Sequence, residues 1–143
     1  MVAADRPGAP AARLWRRALL VWLGLLGAAF VNGALRELLL LPFLGRWAEM
    51  ASIMILIAVL VFGAWWMVRR TRPRRPLRDW FLVGLLWACL TLAFEILFFH
   101  YVGGLPWEAL VAAHDPRQGG TFGVILLALL LAPAAVARLS GRS

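Results

Sequence analysis

The chain has 143 residues, of which 63% are hydrophobic, and it carries a formal net charge of +8. Seven side chains are acidic, and the mean hydropathy is +0.81. A soluble domain of this size could not bury so much apolar surface, whereas a helical bundle in lipid leaves that surface facing acyl chains. Length, composition and charge therefore exclude an ordinary soluble fold and predict an all-α integral membrane protein.

The N-terminal residues 1–12, MVAADRPGAPAA, contain little that could be buried, and we expect a short disordered tail there. The membrane domain is predicted for residues 13–139, with a first span over about 18–41. An uncleaved helix fits this segment better than a signal peptide, because LLLLPF continues the apolar run directly. We expect Pro42 and Gly45 to end the helix, since proline removes a backbone donor and disfavours helical geometry before it.

Three further apolar segments predict the remaining spans, at about 50–68, 79–102 and 121–137. Each is close to the ~20 residues that a helix needs to cross the hydrocarbon core. Residues 140–143 form a short C-terminal tail. The chain therefore predicts four membrane-spanning helices in one domain.

The arginines predict the orientation of these spans. Twelve of the fifteen lie before the first span, between the second and third, or after the fourth. The positive-inside rule then places both termini and the middle loop in the cytoplasm, which requires an even number of spans. Anionic lipid headgroups are the expected partners at Arg69–Arg78, and nucleic acid is not expected. The predicted fold is a four-helix transmembrane bundle in a bacterial inner membrane.

Small and polar residues line one face of the first and third spans. The stripe of the first span consists of Gly24, Ala28, Asn32 and Arg36. The stripe of the third span consists of Gly84, Ala88, Thr91 and Glu95. Helical geometry places each set on a single face. Small residues let backbones approach closely in lipid, and polar residues there hydrogen-bond across helices. We therefore expect the two stripes to pack against each other.

Polar side chains gather at one depth in the outer third of the predicted bundle. Asn32 lies fifteen residues beyond Arg17, and Glu95 lies fifteen beyond Trp80. At 1.5 Å per residue both rise ~22 Å above the inner boundary. The candidate polar cluster at this level is Asn32, Arg36, Glu37, Glu95, His100 and Tyr101.

Glu95 is the residue of this cluster that most needs a partner. A carboxylate in hydrocarbon must be paired, protonated or hydrated. We expect Arg36 to pair with it and Asn32 to donate to the same carboxylate. Two interpretations stay open: a structural lock between helices, and a binding or proton-handling site.

The connection between the third and fourth spans contains LPWEALVAAHDP, which predicts a short helix after Pro106. Its amphipathic pattern suits a helix lying in the membrane interface. Such a helix could also cover the polar cluster as a lid, with Trp107, Glu108 and His114 as the candidate residues. No metal site or cofactor is predicted, since His114 and Asp115 would need ligands from elsewhere.

Two segments carry a resemblance to a known group of proteins. They are NGALRELLL, with Asn32, Arg36 and Glu37, and FEILFFHYVGGLPWEAL, with Glu95, Tyr101, Gly104, Trp107 and Glu108. The chain from Leu14 to about Ala137 resembles a group of small four-helix bacterial inner-membrane proteins. In that group Trp-Glu is usually followed by an Asp-Tyr-Asn run and a Gly-Arg, whereas this chain has AHDPRQGG. The resemblance implies the fold and singles out these residues without naming a reaction.

Three classes of function are compatible with this pattern. An enzyme is disfavoured, because the chain has no H-x-x-x-H metal pattern, nucleophile elbow or phosphate loop. The expected function is a non-catalytic accessory or lipid- or ligand-binding membrane protein with a polar site at its outer face. The alternative is a small oligomeric transporter or channel that uses Glu95. A homo-oligomer or a larger membrane complex is compatible with either.

Overall fold

A computed structural model describes residues 9–72, 74–118 and 120–141 of the chain, and within these ranges it is all-helical. The prediction of an all-α fold is confirmed. The α-helices are α1 (Ala9–Leu35), α2 (Leu41–Leu44), α3 (Ala48–Arg70), α4 (Leu77–Glu95), α5 (Trp107–His114) and α6 (Phe122–Leu139). π-helical segments follow α1 and α4 at Arg36–Leu40 and Ile96–Val102, and 3₁₀ turns lie at Gly45–Trp47 and Pro116–Gln118.

The helices include three stretches that are long and apolar enough to cross a membrane, at Ala11–Arg70, Leu77–Val102 and Phe122–Leu139. By length and composition they indicate a membrane protein. The first stretch has 60 residues and contains two of the predicted spans. α1 begins at Ala9, so residues 9–12 are helical rather than a disordered tail, while residues 1–8 lie outside the described part of the chain.

Pro42 does not end the first helix, contrary to the sequence prediction. The π segment Arg36–Leu40 carries the helix on to α2, and Pro42 lies in the first turn of α2. A missing backbone donor costs little in a first turn, which explains why the helix tolerates the proline there. The interruption comes at Gly45, whose φ of 52° lies in a region that glycine adopts without steric cost.

α1 and α3 run antiparallel on either side of this interruption. Near the end of α1, Nδ2 of Asn32 donates to the backbone carbonyl of Ser52 early in α3. Near the start of α1, the guanidinium of Arg17 donates to the carbonyl of Arg70 at the end of α3. The chain therefore reverses within the 60-residue helical stretch and forms a hairpin.

α4 runs parallel to α1, and α6 packs between α3 and α4. Nε1 of Trp22 donates to Oγ1 of Thr91 over 3.0 Å, and Nε1 of Trp87 donates to the carbonyl of Ala18 over 2.9 Å. α6 makes its most extensive contact with α4. In consequence α1, α3, α6 and α4 enclose a common interior.

This interior is densely packed at one end, here called the Arg-rich end because Arg17, Arg70, Arg72 and Arg74 lie there. Trp80 and Trp87 are almost completely buried and belong to the core. The buried apolar core consists of Leu14, Ala18, Leu60, Ala64, Met67, Val68, Trp80, Val83, Trp87, Leu129 and Ala137.

The two small-residue stripes do not pack against each other along their length. A Cβ on Gly84 would overlap the carbonyl oxygen of Leu130, so this glycine serves the contact of α4 with α6. A Cβ on Gly24 would meet nothing within 4 Å. Of the third-span stripe, Thr91 does reach α1, through Trp22. The close helix approach that glycine permits therefore belongs to α4 and α6.

Candidate functional site

The end opposite the Arg-rich end is hollow. A partly open cavity of about 650 Å³ lies there between α1, α3, α4 and α6. We call it the cavity, and its end of the molecule the cavity end. Its polar lining residues are Asn32, Arg36, Glu49, Ser52, Thr91, Glu95 and Thr121, and its aromatic ones are Phe30, Phe94, Phe98, Phe99 and Phe122.

The directions of the helices explain why the polar residues meet here. Asn32 and Arg36 are at the end of α1, Glu49 and Ser52 are at the start of α3, and Glu95 is the last residue of α4. Because α3 runs antiparallel to α1 while α4 runs parallel to it, these positions meet at the same end. Both α1 and α4 change to π-helix at this level, a geometry that is frequent at functional sites.

Asn32 is 7% exposed, and its amide orientation is determined by Ser52. Nδ2 lies 3.2 Å from the backbone oxygen of Ser52 and 2.7 Å from Oγ. A backbone carbonyl can only accept, so the nitrogen must face Ser52 and Oδ1 must face elsewhere. Oδ1 accepts no hydrogen bond from the described residues. This oxygen is enclosed by protein atoms and does not face the open space of the cavity, so its missing donor is a cost to the fold.

Glu95 is 5% exposed, and it pairs with His114 rather than with Arg36. Nε2 of His114 lies 2.9 Å from Oε2 of Glu95. The predicted Arg36–Glu95 pair is wrong, because Nε and an Nη of Arg36 lie 3.2 and 2.9 Å from Oε1 of Glu37. The neighbouring carboxylate on the same exposed turn satisfies the guanidinium without the cost of desolvating both groups.

The Glu95–His114 contact holds a single proton. Nδ1 of His114 lies 2.8 Å from the carbonyl oxygen of Leu110, which can only accept, so Nδ1 carries a hydrogen. The Nε2–Oε2 contact then needs one more proton, on imidazolium or on the carboxyl group. In both forms the pair is neutral as a unit, which explains how a carboxyl group is accommodated in the protein interior.

Two glycines hold α5 in the position that this contact requires. A Cβ on Gly123 would lie 2.7 Å from the carbonyl oxygen of His114, and one on Gly120 would overlap the carbonyls of Ala112 and Ala113. The end of α5 therefore packs directly on the start of α6. Ala113 and Gly120 also line the cavity, so α5 forms part of its wall.

Glu49 and Thr121 are cavity residues whose role the sequence reasoning missed. Oγ1 of Thr121 donates to Oε1 of Glu49 over 3.2 Å, which ties α6 to α3 at the cavity end. The sequence does contain a signal for them, because both are polar residues at the outer ends of predicted spans. Ser52 lies at the same end, and its contact with Asn32 depends on how the α1–α3 hairpin folds.

Other predicted cluster and lid residues lie away from the cavity. Glu37 and Tyr101 are exposed, and Glu108 is exposed in the first turn of α5. Nδ1 of His100 lies 2.7 Å from the carbonyl oxygen of Leu105, and its ring centroid is 3.9 Å from that of Trp107. These contacts join the π segment after α4 to α5, and they suit a structural role.

A smaller cavity of about 60 Å³ continues towards the middle of the molecule and shares Leu26, Ala29, Leu56, Thr91 and Ile125 with the larger one. Its remaining lining is Trp22, Leu25, Ile57, Leu60 and Leu129. The hollow region is therefore apolar towards the core and polar towards the cavity end. Among the described residues, no group of three His, Cys, Asp or Glu side chains could hold a metal ion.

Comparison with known proteins does not assign the chain to a family. No protein-family model matches the chain, and no curated protein or solved structure matches it. The resemblance to small bacterial inner-membrane proteins therefore stays an expectation.

Proposed function

We propose that the chain is a non-catalytic integral membrane protein that binds a lipid or another amphiphile in the cavity. It crosses a bacterial inner membrane four times, with both termini and the Arg-rich loop in the cytoplasm and the cavity at the outer face. The Arg-rich loop contacts anionic headgroups on the inner side. Such a protein acts alone, as a homo-oligomer, or as the ligand-binding subunit of a larger complex.

The observation that carries this proposal is the gradient of polarity within the cavity. Ligand pockets of ≈ 300–1,000 Å³ are typically apolar with a few placed polar groups, and the cavity has about 650 Å³. Its inner wall offers apolar side chains to a tail. Its polar end offers Glu49 and Arg36 to a head. An amphiphile is the ligand class that matches both parts.

Two glycines of α1 provide the test. Gly33 lines the cavity and Gly24 does not, and a Cβ on either would meet nothing within 4 Å. Gly33→Leu should therefore place bulk in the cavity without a backbone clash, while Gly24→Leu is the matched control. The protein is purified in mild detergent, and the amphiphile that copurifies is measured by mass spectrometry.

We expect a stoichiometric amphiphile with the wild type and with Gly24→Leu, and its loss with Gly33→Leu. Equal amounts in all three proteins would mean that the bound lipid lies outside the cavity, and the proposal would be abandoned.

An oligomeric transporter or channel that uses Glu95 is the alternative function. A single chain gives it less support, because beneath the cavity the described lining is apolar apart from Trp22 and Thr91. Purified protein in liposomes should then move no protons or ions above the level of empty liposomes. Flux that disappears with Glu95→Gln would favour the transporter instead.

A further inference from the structure

Glu95 uses one of its two carboxyl oxygens in contacts with the protein. Oε2 lies 2.9 Å from Nε2 of His114, and the proton that the pair shares lies between these two atoms. Oε1 has no hydrogen-bond partner among the described residues, and it is not one of their enclosed polar atoms. Because Glu95 is 5% exposed and lines the cavity, the open space that Oε1 meets is the cavity. Oε1 therefore presents an unused acceptor to a ligand.

Thr91 presents a hydrogen-bond donor to the same space. Its Oγ1 accepts from Nε1 of Trp22 over 3.0 Å, which leaves the hydroxyl hydrogen without an acceptor among the described residues. Thr91 and Glu95 are four residues apart on α4, so their Cβ atoms lie about 5–6 Å apart on one helix face. Both residues line the cavity. A single ligand oxygen at a hydrogen-bonding distance of about 2.8 Å from each group can therefore contact both.

An uncharged hydroxyl group matches this donor and this acceptor. Its hydrogen can be donated to Oε1 of Glu95, and its oxygen can accept the hydroxyl hydrogen of Thr91. An ether oxygen accepts but does not donate, so it would leave Oε1 unsatisfied. A charged group would find no compensating charge here, because Glu95 and His114 are neutral as a unit.

The depth of Thr91 and Glu95 indicates which part of an amphiphile carries the hydroxyl. Thr91 also lines the smaller apolar cavity, whereas Arg36 and Glu49 line only the larger one. The two residues therefore lie between the apolar part of the cavity and its polar end. A ligand hydroxyl at this level belongs to the junction between the apolar chain and the head.

We propose that the cavity recognises a free hydroxyl group at the junction between the chain and the head of its ligand, with Oε1 of Glu95 as the acceptor and Thr91 as the donor. This recognition rests on the proposed binding of an amphiphile in the cavity. Two sources could supply the chemistry: a lysophospholipid, whose glycerol keeps one hydroxyl beside its single chain, and a free long-chain alcohol.

The test compares ligands that differ only in this hydroxyl. The protein in phosphatidylcholine nanodiscs receives equal amounts of octadecyl lysophosphatidylcholine, with a free hydroxyl on the central glycerol carbon, and of the same lipid with a methoxy group there. Native mass spectrometry of the ejected protein counts the two retained lipids. We expect the hydroxyl lipid to exceed the methoxy lipid by roughly tenfold, the factor that follows from one lost hydrogen bond to a buried group.

Variants assign the recognition to the two residues. Thr91→Val should lower the ratio of hydroxyl to methoxy lipid, while Thr71→Val is the matched control, because the hydroxyl of Thr71 donates to the carbonyl of Met67 outside the cavity. Combining Glu95→Leu with His114→Leu should bring the ratio to equality. Glu95→Gln should keep most of it, since the amide nitrogen can donate to Nε2 of a neutral His114 and the amide oxygen then replaces Oε1.

A second arm adds dodecanol and dodecyl methyl ether, in equal amounts, to nanodiscs that lack both lysolipids. Retention of dodecanol above the ether, lost when Glu95→Leu is combined with His114→Leu, would identify a free alcohol as a ligand. A hydroxyl preference in the first arm alone would identify the lysophospholipid.

The failures are distinguishable. If hydroxyl and methoxy ligands are retained equally in both arms but Gly33→Leu still removes them, hydroxyl recognition is overturned and ligand binding in the cavity stands. If the preference persists when Glu95→Leu is combined with His114→Leu, Glu95 is not the acceptor and the recognition is likewise overturned. If Gly33→Leu changes no retention, the proposed function itself fails.

Discussion

Nε2 of His114 lies 2.9 Å from Oε2 of Glu95, and this contact joins the last residue of α5 to the last residue of α4. It gives the buried carboxyl group a neutralising partner from a helix that the sequence placed in an outer loop. The loop helix is therefore part of the polar site.

The first prediction concerns this pair. His114→Leu leaves Glu95 buried without its partner, so it should lower the free energy of unfolding in detergent by about 1–3 kcal/mol. Combining Glu95→Leu with His114→Leu should recover much of that loss, since no polar group is then left unsatisfied. Chemical denaturation of the four proteins in a double-mutant cycle measures the coupling.

Arg36→Leu is the control for the pair. Arg36 contacts the exposed Glu37, and exposed ion pairs contribute about 0–1 kcal/mol, so this variant should change stability little. Coupling between Glu95 and Arg36, together with additive effects for Glu95 and His114, would contradict the structure.

The second prediction distinguishes two glycines that look equivalent in sequence. Gly84→Ala adds a Cβ where the Leu130 carbonyl lies, and overpacking of this kind typically costs about 1–3 kcal/mol. Gly24→Ala adds a Cβ to open space, so it should be neutral or stabilising by up to about 1 kcal/mol, since alanine is the better helix former. Unfolding curves in the same detergent measure both. Equal effects would mean that α4 and α6 are not in close contact at Gly84.

The third prediction concerns the packing of α5 against α6. Gly123→Ala places a Cβ 2.7 Å from the carbonyl of His114, so α5 must shift away from α6 and the contact with Glu95 must weaken. Amides of α5 should then exchange with deuterium faster, as is expected of a segment with fewer contacts. Gly27→Ala, whose Cβ would meet nothing within 4 Å, is the control.

The background with His114→Ala makes this test specific. There the Glu95 contact is already absent, so Gly123→Ala should add little further exchange. A full effect of Gly123→Ala in that background would assign the glycine to packing alone.

The fourth prediction is the membrane topology. Reporter fusions after Arg74 and Ser143 should be cytoplasmic, and fusions after Arg46 and Arg117 should be on the outer side, because the arginines cluster in the loops predicted to stay inside. An outer C-terminus would mean that the stretch Ala11–Arg70 does not cross the membrane twice, and the proposed outer-face site would then be abandoned.

Several features of the fold could be predicted from the sequence because they depend on local composition. A chain this apolar indicates a membrane protein, and apolar runs of ~20 residues predict membrane-spanning helices whatever their neighbours are. The interruption near Gly45 and the short helix after Pro106 follow from turn chemistry. Asn32 and Glu95 attract attention as polar groups in apolar segments, and that too is a local property.

The partners of these residues required the tertiary structure. Hydropathy is nearly uniform around such helices, so it does not reveal which face meets which neighbour, and Gly24 and Gly84 look alike until α6 is placed. A side chain in a loop helix is nineteen residues from Glu95 in sequence, yet His114 reaches it because Gly120 and Gly123 let α5 pack on α6. The cavity likewise exists because the described helices pack tightly at the Arg-rich end and leave space at the other. Packing is a relation between distant segments, and local sequence patterns do not encode it.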